Sequence, residues 1–161
     1  MDSGAPGTNE VVFFKTKEKW GEFSNFSQHS FEDEHGRIWK TSEHYYQAHK
    51  TLVESQFDEI LNAKTAWESA NLGRSPALQL RSDWDSVKLD VMRRALKLKF
   101  TQNKECFLAL MESRDSVIVE LSYNDQYWGR TPDGFGENWL GKLLMELRHE
   151  FYSRALRNQY E

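Results

Sequence analysis

The segment from Ser42 to Lys50, Ser-Glu-His-Tyr-Tyr-Gln-Ala-His-Lys, gathers a carboxylate, an amide, phenols and an amine in one short stretch. At 100° per residue on a helix, Glu43, Gln47 and Lys50 share one face with Tyr46 beside them. Tyr45, Ala48 and Leu52 lie opposite and read as core. Lys50 stands well beyond Glu43, their backbones about 10 Å apart along the axis, so the two would meet across a ligand rather than touch. A carboxylate there can move protons, and an amine can attack covalently. From the spacing alone, a solvated helix face is the more common reading.

A second candidate is Asn124-Asp125-Gln126-Tyr127-Trp128-Gly129, followed by Gly134-Phe135-Gly136-Glu137-Asn138-Trp139-Leu140-Gly141. Two glycines precede a helix, Asn138 falls at its N-cap, and Gly141 lies in the first turn, where a side chain would block close approach. Unpaired N–H groups at a helix start bind anions, phosphate above all; a plain turn with an Asn cap fits the same residues. The third is Asp83-Trp84-Asp85, where a Trp at a helix start either stacks on a nucleobase or plugs the core. Arg93 and Lys97 form a basic stripe on that helix, with Lys104 beyond it, suited to phosphates or to solvent.

Other constellations fail. His44 and His49 are five apart, wrong for a shared metal, and no His-Glu-x-x-His occurs, so no metal is expected. There is no Gly-x-Ser-x-Gly elbow and no phosphate-binding Gly-x-x-x-x-Gly-Lys-Ser/Thr loop. Cys106, among Phe107, Leu108 and Leu110, reads as an inert core thiol.

The elements that must position these groups follow from patterning. Val11 to Phe14 reads as a strand, and Trp20 to Gln28 as a structured loop. Residues 30–34 and 37–41 read as a hairpin turning near Gly36. Helices are expected over 42–53 with Thr41 or Ser42 as N-cap, 56–62, 65–72 ending at Gly73, 84–100 with Asp83 as N-cap, and 104–112. Val117 to Leu121 reads as a strand, 123–136 as a loop, and 139–157 as a closing helix. That helix carries a stripe of Leu140, Leu143, Leu144, Leu147, Phe151 and Ala155. In the helix from Trp84, the rows Val87, Val91, Ala95, Leu98 and Leu89, Met92, Leu96, Phe100 predict burial on more than one side. The order predicts an α+β fold, a mainly helical single domain over 11–161 with a small β-sheet, behind a disordered tail over 1–10.

The chain has 161 residues, 39% of them hydrophobic and 29% charged, with a net charge of -4. That length suits one domain. No apolar run is long enough for a transmembrane helix, and the first residues carry no secretory-signal pattern. One cysteine excludes an internal disulfide and points to a reducing intracellular compartment, cytoplasmic or nuclear. The acidic balance argues against a nucleic-acid grip through bulk charge, though not a local one.

Together the pieces resemble one family. Ser24-Asn25-Phe26, Glu43-His44-Tyr45-Tyr46-Gln47-Ala48 with Lys50, and Leu72-Gly73-Arg74 come first. Arg81-Ser82-Asp83-Trp84-Asp85, Val91-Met92 and Lys99-Phe100 follow. Asp125-Gln126-Tyr127-Trp128-Gly129, Pro132-Asp133-Gly134, Gly136, Asn138, Leu140-Gly141 and Leu144-Met145 complete the series. Their order and spacing resemble the NADAR superfamily (NAD- and ADP-ribose-associated, YbiA-like) from about Val12 to Arg148. Two departures are Thr131, where the family usually has glycine, and Thr51, where it often has an aromatic residue. The first bears on how the loop closes on a ligand, the second on packing.

The resemblance implies N-glycosidic chemistry on a phosphorylated ribose. The leading expectation is a metal- and cofactor-independent hydrolase removing ADP-ribose from guanine in nucleic acid. The alternatives are an N-glycosidase of phosphoribosylamino-pyrimidine intermediates of riboflavin synthesis, or a non-catalytic ADP-ribose reader. The family's glutamate falls on Glu43, its ring-stacking Trp on Trp84, and its aspartate and Trp on Asp125 and Trp128. Breaking a ribosyl–nitrogen bond builds positive charge at C1 and needs a proton on the leaving nitrogen. Glu43 and Asp125 are expected to manage protons and ribose hydroxyls, and Lys50 to form a Schiff base, which demands a lowered amine pKa. Asn25, Phe26, Tyr46, Gln47, Arg74, Trp84, Trp128, Gly129, Gly134, Gly136 and Asn138 are the expected substrate contacts, with the diphosphate at the Gly134–Gly141 helix start. ADP-ribose or ADP-ribosylated nucleic acid is the expected partner, and no membrane.

Overall fold

The computed structural model describes residues 9–160; most of the expected tail lies outside the described residues. Among the described residues are four strands and six α-helices, an α+β fold dominated by helix. Contacts divide the chain into two compact units, one of residues up to Ser24 with those from Leu108 on, the other Asn25–Phe107.

The first unit is built on β1 (Glu10–Phe13) and β4 (Val117–Glu120), paired in parallel with Val11 opposite Ile118 and Phe13 opposite Glu120. Alternation in β1 buries Val11 and Phe13 and exposes Val12. Phe13 meets Phe23 edge-on at 5.7 Å between ring centres. The closing helix α6 (Trp139–Tyr160) lays Leu140, Leu143, Leu144 and Leu147 into the core. The expected stripe fades beyond them: Phe151 is half-buried and Ala155 exposed. A Cβ on Gly141 would overlap the Ile118 carbonyl oxygen, so glycine lets the first turn of α6 lie against β4. The close approach foreseen at Gly141 therefore serves strand packing.

In the second unit, β2 (Phe31–Glu32) and β3 (Ile38–Trp39) form the expected antiparallel hairpin, with Gly36 at φ 77° in its turn. Asp33 organises it. Its carboxylate accepts from the backbone N–H of His35 and Arg37, from Arg37 Nε and from Trp39 Nε1, at 2.7–3.0 Å. Burial alone would raise the Asp33 pKa, but these donors hold it down at about 2.

Helix α1 (Ser42–Ala48) is the centre of this unit, every residue of it buried. Thr41 caps it, accepting from His44 N–H at 3.2 Å. The helix ends five residues before the expected Val53. The Lys50 and Thr51 N–H groups turn back to Gln47 and Ala48 carbonyls, Thr51 Oγ1 accepts from Val53 N–H, and Arg81 N–H takes the Lys50 carbonyl at 2.8 Å. Leu52, expected in the core, is 75% exposed because the helical face it would have shared no longer exists there.

Around α1 stand α2 (Glu54–Leu61), α3 (Ala66–Gly73) and α4 (Trp84–Gln102). Thr65 caps α3 through Glu68 N–H, and the Glu68 carboxylate reaches back to Lys64 N–H. In α4, Val91, Ala95, Met92, Leu96 and Phe100 are buried, so both predicted rows meet the core. Asp83 precedes α4 without a side-chain cap; its carboxylate is paired instead with Arg81 at 2.6 and 3.0 Å. Helix α5 (Lys104–Glu112) spans the boundary between the units and buries Cys106. No helix among the described residues is long and apolar enough to cross a membrane.

Candidate active site

The second unit brings Glu43, Tyr46, Gln47, Lys50 and Trp84 together. Glu43 is only 6% exposed, which removes the solvated-face reading of α1. A buried carboxylate needs donors, and Gln47, one turn on, supplies one: Nε2 donates to Glu43 Oε1 at 2.7 Å. The Glu43 N–H donates to the Asn25 carbonyl, and Ser42 Oγ donates to Asn25 Oδ1 at 2.8 Å, so Asn25 braces the first turn of α1.

Lys50 lies just past the end of α1 rather than on its face. Its amine reaches the Gly73 carbonyl at 3.4 Å and stands 5.5 Å from the Tyr46 ring centre. Burial lowers its pKa, the Glu43 charge opposes this, and the Arg74 charge lowers it further; the net direction is down. This is the direction that an amine nucleophile requires. Arg74 itself is exposed.

Trp84 is buried, its ring 5.1 Å from that of Tyr46. The Trp84 ring backs Tyr46. Phe26 is half-buried against Trp67, 6.1 Å between ring centres. Thr51, the departure from the family pattern that follows Lys50, donates to Gln56 Oε1 and so turns the chain into α2.

The Asp125 loop belongs to the first unit. Asp125 Oδ1 accepts from the backbone N–H of Tyr127 and Trp128 at 3.0 and 2.9 Å, a turn that fixes the half-buried Trp128. The helix start beyond it corrects the phosphate expectation. The N–H groups of Glu137, Asn138, Trp139 and Leu140 already donate to the carbonyls of Gln126, Gly129, Tyr127 and Trp128. A diphosphate would have to displace those bonds. Asn138 is likewise engaged: its amide spans Ile118 O and Glu120 N–H on β4, so it neither caps α6 with its side chain nor offers it to a ligand. A Cβ on Gly136 would overlap the Gly129 carbonyl, one on Gly129 would crowd Ser122 and the Glu120 carbonyl, and Gly134 needs a positive φ of 93°. These glycines shape the loop. Thr131, the other departure, ties that loop: its N–H donates to Phe135 O, its hydroxyl donates to the Asp133 carboxylate and Phe135 O, and its carbonyl accepts from Gly134 N–H.

Arg93 of the basic stripe pairs with Asp90, and its neighbour Arg94 with Glu34 at 2.6 Å. Among the described residues, no three His, Cys, Asp or Glu side chains converge as a metal site. Sequence reading passed over Gly73, which touches both Gln47 and Lys50 from α3. Only its place in the Leu72-Gly73-Arg74 motif hinted at it.

The family model described as NADAR domain matches residues 12–152. The chain is 42% identical over 140 residues to N-glycosidase YbiA of Shigella flexneri, covering 87% of each. It is 44% identical over 158 residues to the chloroplastic riboflavin biosynthesis protein PYRR of Zea mays, covering 89% of this chain and 25% of that protein. The NMR structure of YbiA from Escherichia coli superposes with a TM-score of 0.85 at 40% identity, over 92% of this chain and 88% of that one.

Proposed function

Because the chain belongs to the NADAR domain family and is a hydrolase acting on N-glycosyl bonds, we propose that it removes ADP-ribose from guanine bases of nucleic acid. The observation that carries this reading is the pairing, inside one unit, of a buried, amide-held carboxylate with an amine whose pKa burial depresses.

In the reaction, the leaving nitrogen takes a proton as its bond to the ribose C1 breaks, the electron pair staying with the base. The neutral Lys50 amine adds to C1 and, after the sugar ring opens, forms a Schiff base. Water then hydrolyses the imine, leaving oxygen on C1 and restoring the amine. Glu43 stabilises the cationic carbon and moves the proton. Asp125 is carried over from the family pattern toward ribose hydroxyls and protons, and Trp84 or Trp128 as the ring that stacks on a base. Tyr46, Gln47 and Arg74 complete the surroundings of the amine. These groups suffice without a metal, so turnover survives EDTA.

A second reading has a specific support. The maize relative is named for riboflavin biosynthesis, which favours a phosphoribosylamino-pyrimidine as substrate, and such a ligand needs no diphosphate seat at the start of α6. The deciding experiment offers ADP-ribosylated DNA, ADP-ribosylated RNA and a phosphoribosylamino-pyrimidine to wild type, Glu43→Ala and Lys50→Ala. Release from the nucleic acids, lost in both variants, supports the first reading. Release from the pyrimidine alone selects the second, and binding of ADP-ribose with no turnover of any substrate selects a reader.

A further inference from the structure

Among the described residues, Gln47 Oε1 is a buried side-chain oxygen without a hydrogen-bond partner, in a residue 2% exposed. Burying an acceptor this way is costly, so something must hold it there. The other end of the amide does. Turning the amide over would set two oxygens against each other and break the 2.7 Å bond from Nε2 to Glu43. The stranded oxygen faces Gly73. A Cβ on residue 73 would overlap it and stand 2.7 Å from Gln47 Cδ and 2.9 Å from Gln47 Cβ. Gly73 closes α3 with a helical backbone and no positive φ, so its conformation does not demand glycine, and alanine is the better helix former. What demands glycine is the Gln47 side chain. The same residue's carbonyl accepts from the Lys50 amine.

We infer that Gly73 is a positioning residue for the N-glycosidic reaction: its missing side chain lets the Gln47 amide lie against α3 and hold the Glu43 carboxylate, while its carbonyl holds the Lys50 amine. One residue of α3 thereby sets both reacting groups, which come from α1 and the turn after it. The inference rests on the reading of Glu43 and Lys50 as the reacting pair.

The test measures release from an ADP-ribosylated guanine oligonucleotide and from a phosphoribosylamino-pyrimidine by Gly73→Ala, Gln47→Ala, the double variant and Glu43→Ala. The double variant guards against misfolding, since removing the amide clears most of the clash; only the 2.9 Å approach to the Gln47 Cβ remains, and a small shift relieves it. Gly73→Ala and Gln47→Ala each lower kcat about tenfold with KM little changed. The double variant loses no more than Gln47→Ala does. In all three, the limb of the pH–rate profile governed by Glu43 moves up by about one unit, because the carboxylate has lost a donor; a purely structural residue would leave it in place. Wild-type rate and profile in Gly73→Ala, or losses that add in the double variant, overturn the role of Gly73 if Glu43→Ala is inactive. Full activity in Glu43→Ala overturns the underlying pair, and this inference with it.

Discussion

In the proposed mechanism Lys50 attacks unprotonated, so the environment of that amine sets one limb of the pH–rate profile. Its pKa lies below the free-lysine value of 10.5, burial first and Arg74 second driving it down against Glu43. The neutral fraction rises with pH, so the rate climbs with pH and its lower limb sits below 10.5. Removing the neighbouring cation in Arg74→Ala moves that limb to higher pH and slows the reaction near neutrality; paired pH–rate profiles of the two proteins measure it. Glu43→Gln keeps the size of the side chain and removes its charge, lowering kcat about a hundredfold, which single-turnover kinetics separates from any change in binding. Glu43 and Gln47 were legible as a pair because residues one turn apart on a helix always face each other. The place of Lys50 past the end of the helix was not legible, since the bond from Arg81 N–H to its carbonyl, which helps turn the chain there, joins segments thirty-one residues apart. Gly73 was illegible for the same reason: its meaning lies in a contact with Gln47 that no local pattern contains.

Elements were readable where their signals are local. The hairpin follows from Gly36 between two short β-branched or aromatic runs, and α3 from the Thr65 cap. Asp33 holds that hairpin, and its depressed pKa has a stability consequence. The unfolded chain binds a proton near the ordinary aspartate value of 3.8, whereas the folded one resists until about 2. The contribution is therefore complete above 3.8 and is lost as pH falls toward 2. Asp33→Asn removes about 2 kcal/mol at neutral pH and flattens that acid dependence, as urea unfolding at several pH values would register. The start of α6 was misread for a physical reason: glycines and a capping Asn beside a helix look alike whether the free N–H groups await a phosphate or meet another loop. Here the carbonyls of 126–129 take them, and Asn138 and Gly141 serve β4. Gly141→Ala sets a methyl group against the Ile118 carbonyl and costs about 3 kcal/mol, which thermal unfolding would show as a lowered Tm.

At the scale of the molecule, the family match runs through both compact units, from residue 12 to 152. The α+β class was legible because every helix and strand but the shortest carries its own periodicity, whereas the division into units depends on which distant segments touch. A net charge of -4, with Arg93 and Arg94 already paired to carboxylates, leaves little bulk attraction for a polyanion. Under the proposed function, release of ADP-ribose from a short oligonucleotide is accordingly weakly salt-dependent, falling less than about tenfold between about 50 and about 200 mM salt. A steeper fall would mean an extended phosphate-contacting surface. The account as a whole turns on whether the amine beside the buried glutamate bonds to the sugar. Incubation with substrate and borohydride, followed by intact mass and peptide mapping, answers this directly. The expected product is a reduced sugar adduct on Lys50, absent in Lys50→Met; turnover of the substrate with Lys50 recovered unmodified would contradict the Schiff-base mechanism.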